Sequence, residues 1–128
     1  MTEKWTLKKR TASFGYAFRG LGILLRDEPN ARIHLFASLV VVSTALFLSI
    51  DATGWRWLGL AITAVWLTEA LNTAIERIAD AAVPHPHPLI GQAKDVAAAA
   101  VLLAALFAIL IGVSVLGPAL LRVWARLI

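Results

Sequence analysis

The stretch from Trp57 to Asp80, WLGLAITAVWLTEALNTAIERIAD, has an apolar first half and a polar second half. The first half has no charged residue, as expected of a segment that enters a membrane. At 100° per residue, four polar side chains of the second half fall within about 80° on a helical wheel. This set, called the polar stripe below, consists of Glu69, Asn72, Glu76 and Asp80.

The remainder of the chain predicts an all-α membrane protein. Of the 128 residues, 59% are hydrophobic, and the mean hydropathy is +0.76, whereas a soluble domain of this length is much more polar. Apolar stretches predict transmembrane helices at about 33–50, 57–82 and 96–118, near the roughly 20 residues that a span needs. They lack the alternation of barrel strands. The first uncharged stretch runs from Leu35 to Ile50. It approaches the length of a span only if Ile33 and His34 are added.

The first 30 residues predict an amphipathic helix that lies on the membrane surface. Apolar residues recur there at helical spacing, from Phe14 to Leu25, with basic residues elsewhere on the wheel. Packing against another protein is the alternative. Basic residues concentrate before the first span, and the loop 83–95 adds Lys94, with Arg77 at its edge, so both regions are expected on the cytoplasmic side. Arg122 and Arg126 near the C-terminus count against this orientation.

We expect a single domain over residues 1–128, because the sequence has no internal repeat and no low-complexity linker. Three spans enclose too little interior to hide several carboxylates, so the polar stripe also predicts oligomerisation. The absence of cysteine excludes disulfides and thiolate metal sites. The basic residues flank membrane spans, which favours anionic lipid or a phosphorylated ligand over nucleic acid.

The polar stripe suits three functions: binding a divalent cation, relaying protons or supplying a general base. One charge in mid-membrane costs at least about 2.5 kcal/mol on insertion scales. A structural polar seam between helices is the alternative, although Asn and Thr would serve there without two glutamates. Glu69 lies about 10 Å deeper than Glu76. We therefore expect a metal at the outer end and a base further in, and oxygen ligands favour Mg²⁺ over zinc.

Three further features lie outside the stripe. Lys94 and Asp95 are expected to open the third span, where lysine and free N–H groups suit phosphate; a snorkelling lysine and a helix cap are the alternatives. Glu28 precedes the first span and could share a metal with Glu76, or be a solvated charge. His85 and His87 give a weak zinc signal, and a proline-shaped loop explains them better. The sequence has no P-loop and no GxGxxG motif.

Two motifs together carry a resemblance to a known family. E-x-x-N-T-A-I-E-x-x-x-D, from Glu69 to Asp80, is followed by A-K-D-x-A-A-x-A-V from Ala93 to Val101. The pair resembles the prokaryotic diacylglycerol kinase / undecaprenol kinase family, over about residues 14–113, including Ala17, Gly20 and Leu21. The resemblance implies a surface helix plus three transmembrane helices, assembled as a homotrimer. Active sites would lie between subunits, at the cytoplasmic face of the bacterial inner membrane.

The implied activity is transfer of the γ-phosphate of MgATP to a lipid hydroxyl. By motif, Glu69 matches the general base, and Glu28 and Glu76 match Mg²⁺ ligands beside the nucleotide. The other matches are residues on the nucleotide side and supporting residues: Lys94, Asp95, Tyr16 and His87 for the nucleotide, and Asn72, Asp80, Lys9 and Arg10 in support.

The lipid is a separate prediction. The segments Arg32–Leu35 and His87–Leu89 resemble the undecaprenol kinase branch, with diacylglycerol kinase as the alternative. Two other classes compete with a kinase. A proton-coupled transporter subunit would explain the acidic stripe, but it requires neither Lys94–Asp95 nor Glu28. A non-catalytic membrane scaffold would tolerate neutral substitutions throughout the stripe.

Overall fold

The computed structural model describes the backbone of residues 7–128 and the side chains of residues 12–128. All regular secondary structure in this part of the chain is helical, which confirms the all-α prediction. There are four helices: α1 (Leu7–Asp27), α2 (Pro29–Phe47), α3 (Ala52–Ala82) and α4 (Pro88–Leu127). Helices α2, α3 and α4 are each long and apolar enough to cross a membrane.

The helices that contain the first and last predicted spans, α2 and α4, begin before the predicted bounds of those spans. Helix α2 starts at Pro29 and has 19 residues, which is long enough to cross a membrane. Helix α4 starts at Pro88, because proline suits the first helical position and the His87 side chain accepts from the Leu89 N–H at 3.3 Å. Lys94 and Asp95 therefore lie about two turns into α4. The predictions that they open this helix, and that Asp95 could cap it, are wrong.

A four-residue turn joins α2 to α3 and makes them antiparallel. The N–H of Ile50 donates to the Ala45 carbonyl at 3.1 Å, which ends α2, and Ser49 adopts a left-handed φ of 50°. Asp51 then caps α3, because its carboxylate accepts from the Gly54 N–H at 2.8 Å. The turn defines one end of the bundle, which lies opposite the end that carries Glu28.

The apolar core lies near this turn. Helices α3 and α4 make the most extensive contact of the fold. Side chains from α2, α3 and α4 form one buried cluster, which consists of Ala45, Leu58, Ala61 and Ile111. Alanines in this cluster let the helices approach closely. Apolar packing therefore stabilises this end of the bundle, whereas the polar stripe extends toward the other end.

Large apolar side chains cover much of the outer surface of the described residues. Phe36 and Phe47 on α2 are 70% and 79% exposed, and Leu103 and Leu110 on α4 are similarly open. A soluble monomer rarely exposes so much apolar surface. The length of α4 also exceeds the membrane: 40 residues correspond to about 60 Å, against about 30 Å of hydrocarbon. These surfaces suit contact with lipid or with other subunits.

Candidate active site

The polar stripe runs along α3 from a buried position to an exposed one. Glu69 is only 2% exposed and Asn72 is 8% exposed, while Glu76 is half-buried and Asp80 is open. The Asn72 side-chain amide donates to Oε1 of Glu76 at 3.1 Å, one turn further along the helix. The helix therefore presents one carboxylate inside the protein and others near its outer end.

Several buried polar atoms around Glu69 have no hydrogen-bond partner among the described residues. They are His34 Nε2, Glu69 Oε2, Asn72 Oδ1 and Thr73 Oγ1. Native proteins satisfy nearly all such atoms, so each exception calls for a physical explanation. Here the exceptions gather on facing positions of α2 and α3. A cluster of this kind is typical of a site that is completed by a ligand or a partner subunit.

His34 is the residue of this cluster that sequence reasoning left without a role. Its Nε2 lies 3.8 Å from Oε2 of Glu69, and its side chain is 17% exposed. The contact joins the second turn of α2 to the middle of α3. The signal available in the sequence was a histidine inside an otherwise apolar span, but no wheel of a single helix could pair it with Glu69.

Glu28 stands between α1 and α2, at the cap position of α2, where its side chain makes no capping hydrogen bond. It contacts Arg77 instead, with Oε1 at 3.5 Å from the guanidinium, and Arg77 also donates to Asp27 at 3.0 Å. Hydrogen bonds from Arg26 and Arg77 lower the pKa of Asp27 to about 2. Arg77 thus brings Glu28 to the outer end of the stripe, a role that the sequence did not suggest.

Asp80 and Lys94 form an ion pair that bridges α3 and α4. The pair borders an open cleft of about 640 Å³, which the proline-rich loop 83–87 also lines, together with Gly91. Ligand sites commonly have volumes of about 300–1,000 Å³. The cleft is therefore large enough for a small ligand, and Lys94 supplies a cation at its wall.

The remaining predicted site residues differ in how they lie relative to this cleft. His87 lines it and caps α4. Asp95 is exposed on α4. Tyr16 is exposed on α1, with the Arg19 guanidinium 5.6 Å from its ring centroid. The side chains of Lys9 and Arg10 lie outside the described residues, so their predicted supporting role stays a prediction.

The outer end of the stripe offers oxygen donors of the kind that Mg²⁺ prefers. Glu76 and the unpartnered Oδ1 of Asn72 lie on adjacent turns, and Glu28 is brought near by Arg77. Among the described residues, no group of three or more His, Cys, Asp or Glu side chains could hold a metal alone. Mg²⁺ commonly uses only one or two protein carboxylates, with water and phosphate oxygens completing its shell. The donor set therefore fits a Mg²⁺–phosphate ligand better than a metal held by protein groups alone.

Comparison with known proteins places this arrangement in a family. The model of the family described as prokaryotic diacylglycerol kinase matches residues 15–116. A diacylglycerol kinase of Synechocystis is 40% identical over 110 residues, which cover 85% of this chain and 63% of that protein. An undecaprenol kinase of Bacillus subtilis is 34% identical over 84% of this chain and 88% of its own length. A diacylglycerol kinase of Escherichia coli is 35% identical over 75% and 79%, respectively. These relatives support a lipid kinase.

Proposed function

The chain belongs to the prokaryotic diacylglycerol kinase family, and on that premise we propose that it transfers the γ-phosphate of ATP to the hydroxyl of a membrane lipid. The observation that carries the proposal is the change in exposure along the polar stripe. Glu69 is buried, and the outer end of the stripe lies near a cleft that Lys94 lines. A lipid hydroxyl resides near the membrane surface and ATP resides in water. A site that spans both environments suits the pair of substrates.

Glu69 is proposed as the general base. Its depth, about 10 Å from Glu76 along the helix, separates it from the groups that suit a metal. In the transfer, the lipid oxygen forms a bond to the γ-phosphorus while its proton passes to the Glu69 carboxylate. The bond between that phosphorus and the bridging oxygen breaks, and ADP leaves with the electron pair. Phosphoryl transfer depends mainly on such positioning and on neutralisation of charge.

The nucleotide is proposed to bind at the cleft beside Lys94. In the free protein, Lys94 is paired with Asp80, and the triphosphate would compete for that lysine. Glu76 and Glu28, with Asn72 in support, would hold Mg²⁺, which supplies charge neutralisation to the phosphates when bound. Asp95, His87 and Tyr16 are proposed to lie on the nucleotide side, as their motif positions imply.

Placement in the membrane and assembly belong to the same proposal. Helix α1 exposes Phe14 and Phe18, and Leu24 is buried, so we propose that α1 lies on the cytoplasmic surface of the bacterial inner membrane. The apolar surfaces of α2 and α4 and the unpartnered atoms around Glu69 support association of three chains. The active site would then be shared: Glu28 of one subunit would face the stripe of another, in place of the contact that Glu28 makes with Arg77 of its own chain.

Two lipids are candidate acceptors, and each has an observation in its favour. Undecaprenol is supported by the segments Arg32–Leu35 and His87–Leu89 and by the Bacillus subtilis relative, most of whose length this chain covers. Diacylglycerol is supported by the more similar Synechocystis relative. We propose undecaprenol first. Both acceptors present one hydroxyl on an apolar body, so the same base and nucleotide site serve either.

The test is ADP release by purified protein in detergent, with undecaprenol and diacylglycerol supplied separately at matched mole fractions. We expect release that requires both Mg²⁺ and a lipid alcohol, with a higher kcat/KM for undecaprenol. A higher kcat/KM for diacylglycerol would refute the proposed lipid and leave the kinase. Release that ignores both lipids would refute the kinase itself.

A further inference from the structure

We propose that His34 is a positioning residue for Glu69: Nε2 of His34 donates a hydrogen bond to Oε2 of Glu69 and fixes the orientation of the carboxylate. The inference rests on the proposed function, because it assigns His34 to the base of that reaction. It concerns a contact between α2 and α3 that neither the motifs nor the wheel of α3 contain.

The first support is the complementarity of two unpartnered atoms. Nε2 and Oε2 are both buried and neither has a partner among the described residues. They lie 3.8 Å apart, about 1 Å beyond an N–H···O hydrogen bond. One is a ring nitrogen that carries a proton in the imidazolium and in one neutral tautomer, and the other is an acceptor. A small side-chain rotation satisfies both, which removes the cost of burying each alone.

The second support is that α3 holds the turn of α2 that carries His34. The indole Nε1 of Trp66 donates to Ser38 Oγ at 3.3 Å, and Ser38 Oγ donates to the His34 carbonyl at 2.7 Å. Trp66 and Glu69 are three residues apart, so they lie on neighbouring turns of one face of α3. The same face therefore anchors the backbone of His34 and contacts its side chain.

Orientation of the carboxylate matters for the proposed chemistry. A hydrogen bond from His34 to Oε2 leaves Oε1 of Glu69 to receive the proton of the lipid hydroxyl. Without it, the carboxylate rotates about its last bond, and fewer of its conformations face the hydroxyl. Misplacement of a catalytic group by about 1 Å is known to cost on the order of 100-fold in rate. Loss of the hydrogen bond from His34 should lower turnover and leave nucleotide binding unchanged, because Lys94 and the cleft lie toward the outer end of α3.

Three variants separate this role from packing. His34→Gln places an amide nitrogen near the position of Nε2 and keeps a donor, whereas His34→Leu keeps bulk without a donor. Thr44→Val changes α2 far from the site and serves as the control. We expect His34→Leu to lower kcat by about 10- to 100-fold with an unchanged KM for MgATP. His34→Gln should retain most of the turnover, and Thr44→Val should match the original protein.

A spectroscopic readout tests the contact without activity. The chain has three histidines, so ¹⁵N-histidine labelling gives few imidazole signals, and the His34 variants assign them. We expect Glu69→Gln to shift the His34 signals and to leave those of His85 and His87 in place. Unshifted His34 signals would overturn the proposal, as would full turnover in His34→Leu or equal losses in both His34 variants. An original protein without lipid-dependent ADP release would instead refute the kinase, a separate result.

Discussion

At the residue scale, the main feature is a carboxylate held inside a membrane protein. Glu69 is nearly inaccessible, and burying an ionisable group in a span is costly enough that it is rarely kept without a use. A structural seam would be satisfied by partners within the fold, yet Oδ1 of Asn72 and Oγ1 of Thr73 have none among the described side chains. The incomplete satisfaction favours a catalytic site over a polar seam.

Glu69→Gln should abolish turnover while leaving assembly and MgATP binding nearly intact. Removal of a general base costs about 10²- to 10⁴-fold, and the amide preserves the size of the side chain. The matched control is Asp51→Asn, the same chemical change at the other end of α3, where Asn also caps a helix. Steady-state ADP release and calorimetric titration with MgATP make the comparison. Near-normal turnover in Glu69→Gln would remove Glu69 from the role of base.

Glu28→Gln and Glu76→Gln should each raise the Mg²⁺ concentration needed for half-maximal rate and lower the maximum. Both carboxylates are proposed to serve one Mg²⁺–phosphate group, so the double variant should lose much less than the sum of the single losses in activation free energy. The measurement is the rate as a function of Mg²⁺ for all four proteins. Additive losses would indicate two separate sites.

Among the helices, sequence periodicity predicted features of a single helix but could not predict the contacts between helices. The polar stripe depends on the geometry of α3 alone, so a helical wheel sufficed to predict it. The pairing of Glu69 with His34 and of Glu28 with Arg77 depends on how α2 packs against α3, which no single-helix pattern contains. The start of α4 was misplaced because the hydrophobic run begins after Lys94, whereas the helix begins at its proline and cap.

The ion pair between Asp80 and Lys94 should matter more for nucleotide binding than for stability. Exposed ion pairs contribute about 0–1 kcal/mol, whereas a lysine beside phosphates makes charge-assisted bonds. We expect Lys94→Met to raise the KM for MgATP by roughly 10-fold or more and to change the melting temperature little. Asp80→Asn frees Lys94 without removing it and should change the KM less. Equal effects of the two variants would contradict a direct contact between Lys94 and phosphate.

Asp27 should link α1 to α3 in a pH-dependent manner. Its pKa is lowered to about 2 by Arg26 and Arg77, so its charged form stabilises the fold above the ordinary carboxyl range, about pH 4. That contribution is lost as the pH falls through about 2. Melting temperatures in detergent should differ between the original protein and Asp27→Asn above pH 4, and the difference should vanish near pH 2. A difference that persists unchanged at pH 2 would exclude the ionised carboxylate as its cause.

Gly54 lies near the N-terminal end of α3, away from the polar stripe, so we expect changes in packing there to affect stability alone. A Cβ at Gly54 would clash with the Ile50 side chain and lie 3.0 Å from Val115 Cγ1 of α4. Gly54→Ala should therefore destabilise the fold by about 1–3 kcal/mol, as overpacking does. Gly59→Ala is the control, because a Cβ there meets nothing within 4 Å. Thermal unfolding in one detergent compares them, and equal stability of both variants would contradict the packing described for this end.

At the scale of the whole molecule, a single chain leaves both its apolar surface and its site incomplete. The described surface of α2 and α4 is rich in exposed leucine and phenylalanine, and Oδ1 of Asn72 and Oγ1 of Thr73 are buried without a hydrogen-bond partner among the described residues. Contact with lipid would account only for the exposed apolar surface. Association of chains would account for both that surface and the incomplete site. The homotrimer therefore stays a prediction of the sequence, one that these features support.

Mixing two inactive variants tests whether subunits share a site. Glu28→Gln and Glu69→Gln chains, combined during assembly, should give some hybrid oligomers with one site that has both glutamates. A measurable minority of activity should return. Homogeneous oligomers mixed after assembly, without subunit exchange, are the control and should stay inactive. Absence of recovery in verified hybrids would exclude the shared site, although not the kinase.

Whether the stripe serves transfer of phosphate from ATP to a lipid is tested by following labelled phosphate from ATP into the lipid product. Purified protein in lipid vesicles that contain undecaprenol or diacylglycerol receives ATP labelled at the γ- or the α-phosphate, with and without Mg²⁺. We expect the γ-label to enter the organic phase in equimolar amount with ADP, only with Mg²⁺ and a lipid alcohol, and the α-label to stay in water. ADP formed without labelled lipid, or no turnover with either alcohol, would contradict the claim.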